Sequence, residues 1–301
     1  GAKAEEIILY EKPKRKQGLL CFLHDTERNI TMLKRSLTGA VVTLAVYLTL
    51  FFSYIPGVLS CATALLTALA VAEICGAAGV ARHPVGLPCA MLAAMAVVAL
   101  PFPGYGKVLI VVLPVAAAAF LWMMLRQDQV RLDNVGKVSL VALAATFLFK
   151  AIPELRQCQD GLIYLTAAVT LCFLTDVAGY LIGSRFGKHK LVPKVSPNKT
   201  IEGSVAGIVA SVLGMLLLGV CLSGWDGYQV NYWVLALYGA LASVVAQFGD
   251  LSMSVIKRVW GVKDFGKILP GHGGILDRFD SHLFCVAFTL LFCTLTGGFL
   301  R

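Results

Sequence analysis

Charge is what this sequence has least of. Only 14% of its 301 residues are Asp, Glu, Lys or Arg, while 58% are hydrophobic. With a mean hydropathy of +0.79, that balance excludes an ordinary soluble domain. The nine cysteines form no CxxC pair and show no Cys/His spacing of the kind zinc requires. Most of them sit in apolar runs, where a thiol behaves as a small hydrophobe, so neither a disulfide framework nor a zinc centre is expected. No internal repeat or low-complexity tract is present, which argues against an inverted-repeat transporter. No cleavable signal peptide is expected either, because the first 35 residues are too charged. The net charge of +9 is not read as a nucleic-acid signal, since in so apolar a chain the placement of basic residues matters more than their sum.

What is present is a series of apolar runs of the length a bilayer needs. Nine candidates cover about 36–55, 58–81, 85–101, 107–125, 138–152, 161–183, 203–223, 231–252 and 281–300, the third and fifth being short. With the N-terminus inside, 22 of the 26 Lys and Arg residues fall on internal segments, as the positive-inside rule demands, and removing one span scrambles that asymmetry. The expected fold is therefore an all-α polytopic membrane protein of about nine helices, N-terminus cytoplasmic and C-terminus extracytoplasmic. Residues 1–35 form a basic cytoplasmic or interfacial segment, 36–160 about five helices, and 161–301 a catalytic region of about four. The two largest internal loops, 184–202 and 253–280, place the chemistry at the cytoplasmic face. Short connections and small size point to a bacterial inner (plasma) membrane. Asn29-Ile-Thr31 and Asn198-Lys-Thr200 match the glycosylation triplet but lie on the cytoplasmic side and are set aside.

Three segments carry the polar groups. In the first, Asp176, Gly179, Tyr180 and Gly183 share one helix face, ahead of Arg185 and Lys188. Small residues there let a neighbouring helix or a ligand come close, and an acid within a span is a functional candidate unless it serves an interhelical hydrogen bond. In the second, Lys194 to Gly203, Ser196 or Thr200 is placed to cap the helix that follows, leaving backbone N–H groups for an anion beside Lys194 and Lys199.

The third segment, Gln247 to Asp280, is the most concentrated. Ser254 to Asp280 packs eight charged side chains and a Gly-His-Gly-Gly turn into 27 residues. Asp250, Ser254, Lys257 and Arg258 fall on one helix face, and Asp277 and Asp280, three apart, converge if their segment is helical. Gly271, Gly273 and Gly274 permit turns closed to other residues, and His272 between them is placed to touch phosphate or ribose. Carboxylates from separate helices, with no cysteine or histidine cluster, favour a hard oxygen-seeking cation. Mg²⁺ fits best, because it uses a few carboxylates together with substrate phosphates. The competing reading is salt bridges from Asp277 or Asp280 to Arg278 or Lys257. Glu73, beside Gly76 and Gly79, is a further buried acid, either site-adjacent or structural.

The run Ser254-x-Ile256-Lys257-Arg258-x4-Lys263-Asp264-x-Gly266-x2-Leu269-Pro270-x-His272-Gly273-Gly274-Ile275-x-Asp277-Arg278-Phe279-Asp280 resembles the signature of phosphatidate cytidylyltransferases (CDP-diacylglycerol synthases). The Asp176–Lys188 stretch and Ser196-Pro197-x-Lys199-Thr200-x-Glu202-Gly203 follow the same family in the expected order. The resemblance is strong over roughly 176–280, and Asn198 stands where some members carry a basic residue.

The resemblance implies that CTP and phosphatidic acid give CDP-diacylglycerol and pyrophosphate with Mg²⁺, for phospholipid synthesis among membrane lipids. It implies Asp250, Asp277 and Asp280 at the metal. Lys257 and Arg258 join them in catalysis, and Asp176, Ser196, Lys199, Thr200, Lys263, His272, Gly273 and Gly274 bind substrate. Family members can also carry a second, monovalent cation such as K⁺ and can form homodimers. Two alternatives remain at this stage. A CTP-dependent lipid-alcohol kinase would use the same ions but transfer the γ-phosphoryl group, and an ion-coupled transporter would use intramembrane acids without the Gly-His-Gly-Gly block.

Overall fold

The structure, a computed structural model, describes residues 38–79, 86–99, 132–224, 228–269 and 273–300. Its helices are α1 (Thr38–Tyr54, the last three residues in a tighter 3₁₀ turn), α2 (Val58–Ala77), α3 (Gly86–Ala99), α4 (Leu132–Gln157) and α5 (Gly161–Phe186). A two-stranded antiparallel hairpin follows, β1 (Lys190–Val192) and β2 (Ser196–Thr200), and then α6 (Ile201–Ser223), α7 (Tyr232–Val259) and α8 (Leu276–Thr296). Six of these helices, α2 and α4 to α8, are long and apolar enough to cross a membrane. The shorter apolar helices α1 and α3 fall on the first and third expected spans. The fourth expected span, 107–125, lies outside the described residues, as do His272 and the whole basic N-terminal segment, residues 1–35. The architecture is all-α and polytopic apart from the hairpin.

The fifth apolar run reads as short in the sequence because Asp133 and Lys137 precede it and Glu154 and Arg156 follow. The backbone helix takes these in and spans 26 residues, with Pro153 inside. The eighth run extends to Val259, so that Asp250, Ser254, Lys257 and Arg258 all stand on one continuous helix. Asp277 and Asp280 fall in the first turns of α8, which makes the expected i, i+3 pairing helical.

Burial follows the bilayer logic of apolar faces pointing both ways. One core cluster joins α5 to α8 through Leu165, Leu171, Met215, Leu235, Tyr238 and Phe292. A second joins α2, α3 and α4 to the inner faces of α7 and α8 through Ile74, Phe149, Met253, Leu276 and Leu283. Both clusters draw on residues from either side of position 160. On the outside of α6, Val205, Val209, Leu213, Leu217 and Val220 form an exposed apolar stripe, as a helix facing hydrocarbon requires. Far from the charged segments, the last residues fold back. Asn231 N–H donates to Phe299 O at 3.1 Å, and the Phe299 ring meets Tyr164 edge-on.

Candidate functional site

The glycine face of α5 is used for helix packing. A side chain at Gly203 of α6 would meet Gly179 O at 2.6 Å, and one at Gly183 would meet Thr200 Oγ1 at 2.8 Å. The two helices therefore touch backbone to backbone, the close approach that small residues allow. Thr200 is the residue that caps α6, its Oγ1 accepting from Gly203 N–H at 3.2 Å, while Ser196 opens β2. Below this contact a buried knot of hydroxyls ties three helices: Thr175 Oγ1 lies 2.7 Å from Ser211 Oγ and 3.0 Å from Ser243 Oγ. Gln247 extends it, donating to Ser204 O at 3.2 Å and accepting from Ser204 Oγ.

Above the knot lies a cavity of about 570 Å³ between α5, the hairpin, α6 and α7. Asp176, Ser184, Lys190, Asn198, Lys199 and Gln247 give it its polar lining. Sequence reasoning singled out Asp176, Lys199 and Thr200 here, took in Gln247 and Ser184 only as parts of polar segments without a role, and missed Ser204 and Lys190. The available signal was a run of polar residues inside otherwise apolar spans.

Three acids come from three helices here: Asp176 on α5, which lines the cavity beside Lys199, Asp250 on α7 and Asp280 on α8. The helices are in contact here, since a side chain at Gly249 would come within 2.9 Å of Asp280 O. Asp250 is ion-paired through Oδ2 to Lys199 Nζ, and its Oδ1 accepts from Ser254 Oγ at 3.4 Å. Among the described residues, Asp280 accepts only from Ser281 N–H, at 2.8 Å. Arg278 and Lys199 supply positive charge near Asp176, and Lys257 supplies it near Asp280.

Asp277 has different surroundings. Its Oδ1 accepts from Lys257 Nζ at 2.8 Å, and its Oδ2 accepts from the backbone N–H groups of Phe265 at 2.8 Å and Gly274 at 2.9 Å. Both partners of this ion pair are buried, and the Phe265 ring lies 5.5 Å from the Lys257 ammonium, in cation–π range. Glu73 completes the arrangement from α2. Its two oxygens accept from Ile275 N–H at 2.8 Å and Leu276 N–H at 2.9 Å, satisfying orphan donors at the start of α8. The glycine turn exists because of these acids. Gly273 sits at φ +86, which side chains other than glycine avoid, and a side chain at Gly274 would lie 2.5 Å from the Glu73 carboxylate. Glu73, left open between two roles by the sequence, is thus a cap for α8.

The remaining cations lie further out. Arg258 is exposed and ties the hairpin to the end of α7, donating from Nε to Val195 O at 3.4 Å and from Nη1 to Val262 O at 3.2 Å. Lys263 is exposed on the loop that follows.

The residues fit a divalent cation in one particular way. Among the described residues no three Asp, Glu, His or Cys side chains converge closely enough to form a metal cage. A cation taking one or two carboxylates, waters and substrate phosphates does not need one, and that is how Mg²⁺ is usually held. Asp250, with Lys199 and Ser254 on it, and Asp280, with only Ser281 N–H among the described residues, have acceptor positions open for one. Three of Asp277's acceptor positions are already taken by Lys257, Phe265 and Gly274.

The model of the cytidylyltransferase family matches residues 33–296. Three similar curated proteins are all named phosphatidate cytidylyltransferase. That of Staphylococcus haemolyticus is 47% identical over 126 residues, which is 42% of this chain and 47% of that protein. Those of Staphylococcus epidermidis and Staphylococcus aureus are 48% and 46% identical over the same extent. In these alignments the chain spans about half the length of the curated relatives it matches.

Proposed function

The chain belongs to the cytidylyltransferase family, and on that premise we propose that it transfers the cytidylyl group of CTP to phosphatidic acid, giving CDP-diacylglycerol and pyrophosphate for phospholipid synthesis. The observation that carries this reading is a cavity lined by Asp176, Lys190 and Lys199, with Asp250 ion-paired to Lys199 at its edge. Two polyanions must meet for this reaction, and only a site rich in cations, mobile or fixed, allows it.

In the step itself a phosphate oxygen of the lipid attacks the α-phosphorus of CTP. The bond from that phosphorus to the bridging oxygen breaks, and pyrophosphate leaves with the electron pair. The nucleophile is already anionic, so no side chain needs to remove a proton from it. Asp250 and Asp280 would hold Mg²⁺, which when bound would offset charge on the transferring phosphate. Lys199 and Lys190 reach phosphate oxygens in the cavity, and Lys263 and Arg258 draw the nucleotide in from the loop side. Asp277 keeps the Lys257 ammonium, and the glycine turn, in place beside Asp280. Asp176 would orient a substrate hydroxyl or help to hold the metal. Ser196, His272, Gly273 and Gly274 complete the nucleotide contacts, and a monovalent ion such as K⁺ is the second cation of this reading.

The topology belongs to the same reading: nine crossings, N-terminus cytoplasmic, C-terminus extracytoplasmic and the site at the cytoplasmic face of a bacterial inner membrane. The distribution of Lys and Arg supports it. The acyl chains of the substrate stay in the bilayer, and a homodimer is the expected assembly.

Purified protein given Mg²⁺, phosphatidic acid and CTP labelled at the α-phosphate should produce labelled lipid. Label entering lipid from the γ-phosphate alone would identify a lipid kinase, and no label from either position would remove the nucleotide reading altogether.

A further inference from the structure

The hairpin determines where Lys199 starts. Its neighbour Thr200 is buried, caps α6 and packs against Gly183 and Gly187 of α5, so the backbone at 199 is anchored. The side chain has two places to go. Lys199 lines the cavity of about 570 Å³, and its ammonium is ion-paired to Asp250, with roughly a quarter of each side chain exposed. Like charges gather around Asp250, because Asp176 lines the same cavity as Lys199 and the Asp280 backbone packs against Gly249, the residue before Asp250. A cation on Asp250 relieves that repulsion, and in this arrangement the cation is an ammonium.

We infer that in the substrate-free protein Lys199 holds the place on Asp250 that the divalent cation takes during turnover, and that the exchange turns Lys199 into the cavity toward a phosphate. This rests on the reading that a divalent cation serves the site. Lys257 is unsuited to the same exchange. Its pair with Asp277 is buried, and Asp277 is simultaneously held by two backbone N–H groups.

The exchange has a thermodynamic consequence. An ammonium that must leave weakens cation binding in the absence of nucleotide, and a phosphate that accepts the displaced ammonium strengthens it. Cation and nucleotide are thereby coupled, each raising the affinity of the other.

The test titrates Mn²⁺ into the purified full chain without nucleotide, following free Mn²⁺ by electron paramagnetic resonance. Lys199→Gln should bind Mn²⁺ about tenfold more tightly than the parent protein. Lys199→Arg should keep the weak affinity, and adding Asp250→Asn to Lys199→Gln should erase the gain. CTP should strengthen Mn²⁺ binding in the parent protein and do so much less in Lys199→Gln. Unchanged or weaker Mn²⁺ binding in Lys199→Gln overturns the inference, as does a gain that survives Asp250→Asn.

A second measurement uses the parent protein alone. Mn²⁺ without nucleotide should increase acetylation of Lys199 by an amine-reactive reagent, read by mass spectrometry, and unchanged labelling overturns the inference equally. The two readings separate cleanly. Lipid labelling with unaltered Mn²⁺ binding in Lys199→Gln removes the exchange and leaves the reaction standing. Tighter Mn²⁺ binding without lipid labelling does the reverse.

Discussion

Two groups of acids sit side by side in this protein, and their surroundings separate them. Glu73 and Asp277 are filled by the chain itself, since between them they accept four backbone N–H groups and one ammonium. Asp250 and Asp280 are less filled: Asp250 is ion-paired to Lys199 and accepts from Ser254 Oγ, and Asp280 accepts only from its own neighbour among the described residues. A buried carboxylate saturated by donors has its charge already solvated by protein. One with acceptor positions open has capacity left for a further cation. The two ion pairs repeat the lesson: Lys257–Asp277 is 9% and 1% exposed, whereas Lys199–Asp250 is 28% and 27% exposed.

The sharpest way to break the comparison is Asp277→Ala. Removing one partner of a buried pair strands Lys257 and two backbone donors, and should cost about 3–5 kcal/mol of stability together with activity. Thermal unfolding in detergent measures it, and a variant as stable as the parent would place Asp277 with the site acids.

Asp250→Asn tests the other side. Turnover of labelled CTP into lipid should fall about a hundredfold or more, while stability shifts by less than about 1 kcal/mol because the pair is partly exposed to solvent. A large stability loss at unchanged turnover would reverse the assignment.

Glu73→Gln should cost about 1–3 kcal/mol, because an amide donor replaces an acceptor opposite Ile275 or Leu276. Its effect on turnover should track the unfolding midpoint, and lost turnover at full stability would make Glu73 a site residue. The smallest effect is expected from Thr200→Ala, about 1 kcal/mol for the lost cap, recovered in Thr200→Ser. Unfolding of all three proteins checks it, and an unrecovered loss would point to the packing against Gly183 and Gly187 instead.

Much of the fold was legible in advance, because a span announces itself by apolar length and six such helices stand where the apolar runs are. The helical pairing of Asp277 with Asp280, the shared face of Asp250, Ser254, Lys257 and Arg258, and the cap at Thr200 were also readable, since each depends on local spacing. The hairpin was not. Three- and five-residue strands separated by Pro193, Lys194 and Val195 carry too few residues for any period to show. Nor was the glycine face of α5 decidable, as Gly179 and Gly183 suit a ligand and a helix equally until α6 is seen against them.

The sequence by itself thus determined that the chain is a helical membrane protein, where its six long apolar helices run, and which short segments concentrate its charged side chains. Spacing along a helix and hydrophobic length are properties of the chain alone, so they survive without coordinates. Only the tertiary structure decided which acids are saturated by donors of the chain itself. Glu73 is some two hundred residues from the backbone donors it caps, and Lys199 is about fifty from the carboxylate it neutralises. Whether a charge is satisfied depends on what packs beside it, and no local pattern carries that information.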